Sequence, residues 1–213
     1  MKKTTVLLAI LLSVLFCGQA AFGQTPRTAE DYNVRGNTYF NKADYTNAIA
    51  DFSQALKMEP NNAVFFNNRA EAYFGAGDYN KSFADANQAL KFFPDNPNYL
   101  CTRGKVYTKL KEYDKALADL NQVLYYNTFN KFARAARAEA YMFKGDLDKA
   151  LADCDAALLI DDDYLQVYTL RSMVHTFKGN YKQGRADLNK VLRVMPNDPG
   201  LKQIDAILKE KGF

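Results

Sequence analysis

The chain repeats itself every 34 residues, and this period constrains its fold more than any other feature. The segment Arg103 to Asp119, RGKVYTKLKEYDKALAD, returns twice upstream and twice downstream. Its Arg recurs as Arg35, Arg69, Arg137 and Arg171, and its closing Asp as Asp51, Asp85, Asp153 and Asp187. No copy slips by a single residue. A fixed period of this length marks a solenoid, in which stacked supersecondary units each touch only their neighbours. Five units span 29–62, 63–96, 97–130, 131–164 and 165–198, so one extended domain accounts for most of the chain.

Within the first unit, Tyr32, Gly36, Tyr39 and Phe40 fall at helical spacing. Ala43-Asp44 interrupts the pattern, and Ala48, Phe52, Ala55 and Leu56 resume it. The spacing predicts a helix, a tight turn and a second helix. Turn signals recur in phase at Gly77-Asp78, Lys111-Glu112, Gly145-Asp146 and Gly179-Asn180, where Asp or Asn can accept from the free N–H groups that open the second helix. Pro60, Pro94 and Pro196 end the second helix in three units, while Thr128 and Asp162 stand in that place in the others.

These residues resemble the tetratricopeptide repeat (TPR), a 34-residue helical hairpin with an aromatic, a small residue, a Tyr, an Ala, a large apolar residue, another Ala and a Pro at set spacings. Tyr32, Gly36, Tyr39, Ala48, Phe52, Ala55 and Pro60 match every position. Gly104, Tyr107, Ala116 and Leu120 match in the third unit, and Tyr141, Ala150 and Ala157 in the fourth. Arg134 departs from the opening aromatic, His175 from the Tyr and Gly184 from the first Ala. The resemblance implies an all-α fold, a right-handed α–α superhelix of five hairpins. Such a stack needs a polar outer face at its end. Leu201, Ile204, Ile207 and Leu208 form one apolar face opposite Lys202, Asp205, Lys209 and Glu210, so residues 199–213 are expected to supply a capping helix rather than a membrane-surface helix.

Residues 1–23 differ from the repeats. Lys2 and Lys3 precede an apolar run from Val6 to Phe16, and Ala21-Phe22-Gly23 ends in small residues at alternate positions. This predicts a secretory signal cut before Gln24, followed by a short polar linker over 24–28. The apolar run is too short for a membrane span, which needs about 20 residues. The alternative is lipid anchoring through Cys17, which the bulky Phe16 before it opposes. Either way the expected location is periplasmic, secreted or envelope-anchored. Loss of Lys2 and Lys3 takes the 28 basic residues to 26, against 24 acidic ones, and this near-neutrality speaks against a nucleic-acid partner. Cys101 and Cys154 fall in different hairpins, so a bridge between them is not expected, and Cys154 occupies a core position.

In an antiparallel helix pair, residues before and after the turn meet at a nearly constant sum of offsets. If Gly36 meets Ala48, Arg35 lies level with Asp51. This predicts one Arg–Asp ion pair per hairpin: Arg35 with Asp51, Arg69 with Asp85, Arg103 with Asp119, Arg137 with Asp153, and Arg171 with Asp187. The abundant Asp thereby has a structural explanation. His175 sits in a packing position held elsewhere by Tyr, and one His with two scattered cysteines does not assemble a metal site. With no phosphate-binding glycine loop or nucleophile motif, neither a cofactor, a small-molecule substrate nor enzyme activity is expected.

In proteins of this family the first helix of each repeat lines a concave face. The resemblance places Asn33, Asn37, Asn41, Asn67, Glu71 and Phe74 there, followed by Asn98, Lys105, Thr108 and Lys109. Phe132, Glu139, Met142, Phe143, Thr169, Met173 and Phe177 complete the lining. Asn amides at one end can bond both N–H and C=O of an extended peptide, while Phe and Met at the other suit apolar anchors. Family members that grip the acidic carboxy terminus of cytosolic heat-shock chaperones use Lys and Arg where this chain has Asn33, Asn98 and Thr102, so that partner class is not expected. The function implied is a non-catalytic protein–protein interaction scaffold. The alternative is a structural subunit of an envelope or secretion assembly, acting through its convex face or by self-association.

Overall fold

The computed structural model describes residues 26–213, so the expected signal segment, its cut before Gln24 and Cys17 lie outside the described residues. Eleven helices occur among those residues. They pair as α1 (Ala29–Asn41) with α2 (Tyr45–Met58), α3 (Ala63–Gly75) with α4 (Tyr79–Phe92), and α5 (Pro97–Lys109) with α6 (Tyr113–Tyr126). The series continues with α7 (Lys131–Lys144) and α8 (Leu147–Ile160), then α9 (Leu165–Phe177) and α10 (Tyr181–Leu192), and α11 (Pro199–Glu210) closes it.

The turn inside each hairpin needs one left-handed residue. Gly77, Gly145 and Gly179 provide it at φ 80°, 95° and 78°, but Ala43 and Lys111 adopt it at 58° and 63° despite carrying a Cβ. Asp44 and Asp78 accept from the Asn47 and Lys81 amides, each at 3.2 Å. Asp146 and Asn180, expected to do the same, make no side-chain cap bond, and neither does Glu112. The first helices are capped more consistently: Thr28 forms a reciprocal capping box with Asp31, and Asn62, Asn96 and Asn130 accept from amides in the next turn. Proline is not needed to end the second helices. Asn127 and Asp161 donate to Val123 and Ala157, closing the last turn as Glu59 and Phe93 do with Ala55 and Ala89.

Small residues bring the two helices of a hairpin together. In the second hairpin Ser82 Oγ donates to the Ala70 carbonyl, and in the fifth Ser172 Oγ donates to the Gly184 carbonyl, both at 2.7 Å. These pairs are the periodic equivalents of Gly36 and Ala48. A hydroxyl can therefore replace Gly or Ala here because the opposing backbone satisfies it. The space above Gly36 is itself filled by the Phe52 ring, 2.7 Å from where a Cβ would stand; Leu120 fills it above Gly104.

Phe52, Phe65, Leu100, Leu120, Leu188 and Leu208 are fully buried in a core that runs the length of the stack. Cys101 and Cys154 are free, buried thiols, and burial pushes their pKa values up to about 11 and about 12. His175 is half-buried with Nδ1 unpartnered, and desolvation holds its pKa below the ordinary value. The last helix packs Leu201, Ile204 and Leu208 against Val167, Tyr168, Leu188 and Val191. Ile207, expected on that face, is instead 45% exposed. Asp205, expected on the polar face, is drawn inward by an ion pair with Arg185, which also donates to the Phe213 carbonyl.

Candidate partner-binding groove

The periodic arginines hold the lining helices in place. Arg35 Nε and Nη2 donate to the two carboxylate oxygens of Asp51, both at 2.7 Å. The same two-point contact joins Arg69 to Asp85 (2.6 and 2.9 Å) and Arg103 to Asp119 (2.7 and 2.8 Å). It also joins Arg137 to Asp153 and Arg171 to Asp187, with all four distances 2.7 Å. All five aspartates are buried. The hydrogen bonds to Asp outweigh desolvation and raise the arginine pKa values above their ordinary value.

Each interior arginine also has a second partner. Its Nη1 reaches back to the preceding hairpin: Arg69 to Ser53 (3.1 Å), Arg103 to Asn87 (3.0 Å), Arg137 to Asn121 (2.8 Å) and Arg171 to Asp155 (2.6 Å). One guanidinium therefore closes its own hairpin and fastens it to the one before. In the first four hairpins the Tyr four residues after the arginine covers its guanidinium, with Arg-to-ring distances of 5.8–6.0 Å for Tyr39, Tyr73, Tyr107 and Tyr141. Arg134, which departs from the family aromatic, donates to Asp153 and to the Thr128 carbonyl. The link between hairpins is legible in retrospect, because polar residues recur in phase 16 positions before each interior arginine.

First helices of successive hairpins touch one another directly: α1 meets α3, α3 meets α5, α5 meets α7, and α7 meets α9. The lining is less open than the spacing suggests. Asn33, Asn67, Thr108 and Met142, expected on its surface, are buried. The amide of Asn33 is engaged with Glu30 and Asn68, and Asn67 Oδ1 is buried with no donor. The Thr108 hydroxyl donates to the Gly104 carbonyl, as a Thr does when it bonds back along its own helix. Met142 packs against Ala150 of its own hairpin and Val174 of the next. Helix-to-helix contact has covered all four.

Asn37, Glu71, Lys105, Lys109, Glu139, Thr169 and Met173 are half-buried, as is Phe74, while Asn41, Asn98, Phe132, Phe143 and Phe177 are exposed. The charges in the middle of the groove neutralise one another. Lys105 Nζ lies 3.7 Å from Glu71, and Lys109 Nζ lies 2.7 Å from Glu139. Each ammonium also sits over a ring, Lys105 over Phe74 at 5.8 Å and Lys109 over Phe143 at 5.5 Å. Thr102, in a position where chaperone-tail binders carry a cation, is buried and donates to Glu71. The lining thus runs from amides at Asn37 and Asn41, across paired charges, to apolar side chains at Phe143, Met173 and Phe177.

Among the described residues, no group of three or more His, Cys, Asp or Glu is placed to hold a metal ion, and no helix is long and apolar enough to cross a membrane.

Comparison with protein-family models matches a TPR repeat model to residues 36–77 and a tetratricopeptide repeat model to 97–130, 133–164 and 165–198. A search of curated proteins gives no match. Solved structures share the fold at low identity. A thermophilic TPR protein of Thermus thermophilus superposes with TM-score 0.77 at 19% identity, over 85% of this chain and 99% of that one. A tetratricopeptide repeat protein of Parabacteroides merdae gives TM-score 0.61 at 23% identity, over 84% and 72%. YrrB, a TPR protein with an unusual peptide-binding site, gives TM-score 0.56 at 20% identity, over 84% and 92%.

Proposed function

The chain belongs to the tetratricopeptide repeat family, and on that premise we propose that it is a non-catalytic scaffold of the cell envelope that holds a peptide segment or helix of a partner protein in its concave groove. The observation that carries this reading is the pair Phe143 and Phe177. They occupy the same position in consecutive first helices, 34 residues apart, yet remain 47% and 60% exposed. Neither is needed to fill the core. Two rings at that spacing suit apolar anchors on a partner, which dominate such interfaces when they enter a lined groove. The basic start and apolar run of residues 1–23 support the envelope location.

The mutual pairing of Lys105 with Glu71 and of Lys109 with Glu139 sets the partner's chemistry. An acidic tail would have to break these pairs, whereas an apolar segment flanked by backbone amides would not. A photo-crosslinking residue at Asn37 or Asn41, introduced into the chain in intact cells, tests the groove. Capture of a partner that disappears in the Phe143→Ala, Phe177→Ala double variant, with unchanged thermal melting, is the expected outcome. Undiminished capture by a folded double variant refutes groove binding. Amino-terminal sequencing of the exported chain tests the cut before Gln24.

A further inference from the structure

Large apolar side chains exposed to solvent are concentrated on one edge of the stack. Met58, Phe92, Tyr126, Ile160 and Val194 recur at intervals of 34 residues, at or just beyond the end of each second helix, and all five are exposed. They lie on the edge formed by the loops that join one hairpin to the next. The opposite edge, formed by the turns inside hairpins, is polar and is tied by ion pairs from Lys144 to Asp114 and from Lys178 to Asp148. A recurring row of exposed apolar side chains along one edge marks an interaction surface more often than a face left to solvent.

The ridge is broadest at the third hairpin. Tyr125 is 82% exposed and its ring stacks edge-on to Tyr126, with centroids 5.2 Å apart. The two sides of this aromatic centre differ. Toward the second hairpin lies a recess of about 390 Å³ lined by Asp95, Pro97, Val123, Tyr126 and Asn127. Near the end of α4 on that side stands Lys91, an exposed cation with no carboxylate at ion-pair distance among the described residues. Toward the fourth hairpin, Phe129 and Leu159 project at 76% and 89% exposure, followed by the exposed carboxylates Asp162 and Asp163, which have no cation at that distance among the described residues. One side offers a recess, where Asp95 is held by the Gln122 amide, and the unpaired cation Lys91; the other offers projecting apolar groups and negative charges.

We propose that this edge binds a second copy of the chain, in a two-fold arrangement centred on Tyr125 and Tyr126. An isologous interface requires a surface that complements itself after rotation. A two-fold axis through the aromatic centre sets the second-hairpin side of each copy against the fourth-hairpin side of the other. The projecting Phe129 then faces the recess, and Lys91 faces Asp162 and Asp163, with both contacts made twice. The dimer leaves the concave grooves free. Two grooves joined rigidly would bind a partner carrying two target segments with greater avidity than one. The surface is separate from the proposed groove, so neither proposal depends on the other.

The test is sedimentation equilibrium of the purified chain across a concentration series reaching the high micromolar range. The expected mass rises to twice that of the protomer. Tyr125→Ser with Phe129→Ser raises the dissociation constant at least about a hundredfold, as loss of central aromatic anchors does elsewhere. Lys91→Glu alone and Asp163→Lys alone each weaken the dimer about tenfold or more, because each sets like charges opposite one another. An equimolar mixture of these two single variants regains the dimer, since the mixed pair restores opposite charges at both contacts. All four positions are exposed, and circular dichroism checks that each variant keeps the parental helix content. A chain that stays monomeric throughout overturns the proposal, as does a dimer indifferent to these substitutions. A mixture that fails to reassociate overturns the antiparallel pairing. Binding of a monomeric chain to phosphatidylcholine vesicles through the same residues would assign the ridge to a lipid surface instead.

Discussion

Replacing Asp119 with Ala tests the fastening role of the periodic arginines at the place where the structure makes it strongest. Asp119 is 7% exposed and accepts two charge-assisted bonds from Arg103 at 2.7 and 2.8 Å. The substitution leaves the guanidinium with Asn87 on the preceding hairpin as its one hydrogen-bond partner, beside the Tyr107 ring. Breaking a fully buried pair from one side costs about 3–5 kcal/mol. Because the Arg103 side chain is 24% exposed and can recruit water, the expected cost is reduced to about 2–3 kcal/mol. The first hairpin is the internal control. Arg35 is 43% exposed and has no earlier hairpin to hold, so Asp51→Ala is expected to cost about 1 kcal/mol or less. At about 2–4 °C per kcal/mol for a chain of this size, Asp119→Ala lowers the melting midpoint by about 5–10 °C and Asp51→Ala by no more than about 4 °C. The central loss also weakens contact between hairpins, so urea unfolding should broaden as the array separates into shorter stacks. Far-UV circular dichroism during heating and urea titration measures both effects. Equal shifts for the two variants, or an Asp119→Ala midpoint within about 1 °C of the parent, would refute the fastening argument.

Two further substitutions probe local strain and titration. Lys111 holds φ 63° where three other hairpins have Gly, so Lys111→Gly is expected to stabilise the chain by up to about 1 kcal/mol, the relief of a left-handed residue less the entropy that Gly adds to the unfolded state; a lower midpoint in thermal melts argues against strain at that turn. The pKa of His175 is lowered in the fold by burial, opposed by Asp187 and Asp155 and reinforced by Arg171 and Lys178. The unfolded chain then binds the proton more readily, so stability falls as pH drops below about 6.5 toward the depressed folded value and levels off beneath it. His175→Tyr, which restores the residue found at this position in the other hairpins, should remove that part of the pH dependence of the melting midpoint; a parent and variant with parallel profiles between about pH 7 and pH 5 would contradict it.

The hairpin architecture was legible because strict phase relates residues far apart in sequence. Arg35 and Asp51 could be set level from one contact between Gly36 and Ala48, and the Ser82 and Ser172 hydroxyl bonds occur at the periodic equivalents of that contact. Contacts between neighbouring hairpins were harder to foresee, since they depend on how one unit rotates onto the next. For this reason the helical count could place Asn33, Asn67, Thr108 and Met142 on the first helices without revealing that neighbouring helices bury them. The same step hid the pairing of Lys109 with Glu139, 30 positions apart. Capping shows a different limit. An Asp at Asp146 has the right chemistry to cap α8, yet its side chain makes no such bond, whereas Asn62, Asn96 and Asn130 do cap the first helices.

The exposed ridge qualifies a natural inference about repeat proteins, that periodic residues build the structure and unrepeated ones carry the function. Met58 lies three residues after Ala55, so helical spacing assigns it to the buried face, and the same holds for Phe92, Tyr126 and Ile160 in later units. Periodicity and hydrophobicity together therefore predict core. The structure exposes these side chains because the second helix ends there: the chain turns at Glu59 or its equivalent, and no further helical turn remains to cover them. Burial within the chain accounts for only part of their apolar character, since 38–71% of each of these four side chains stays in solvent. What recurs at this position is hydrophobicity without a fixed identity, Met, Phe, Tyr, Ile and Val, whereas the internal fasteners recur as Arg and Asp in every unit. A fastener needs one geometry, while an apolar docking edge needs only surface that water leaves readily. The difference between the two kinds of repetition separates the residues that hold the solenoid together from those that remain available to a partner.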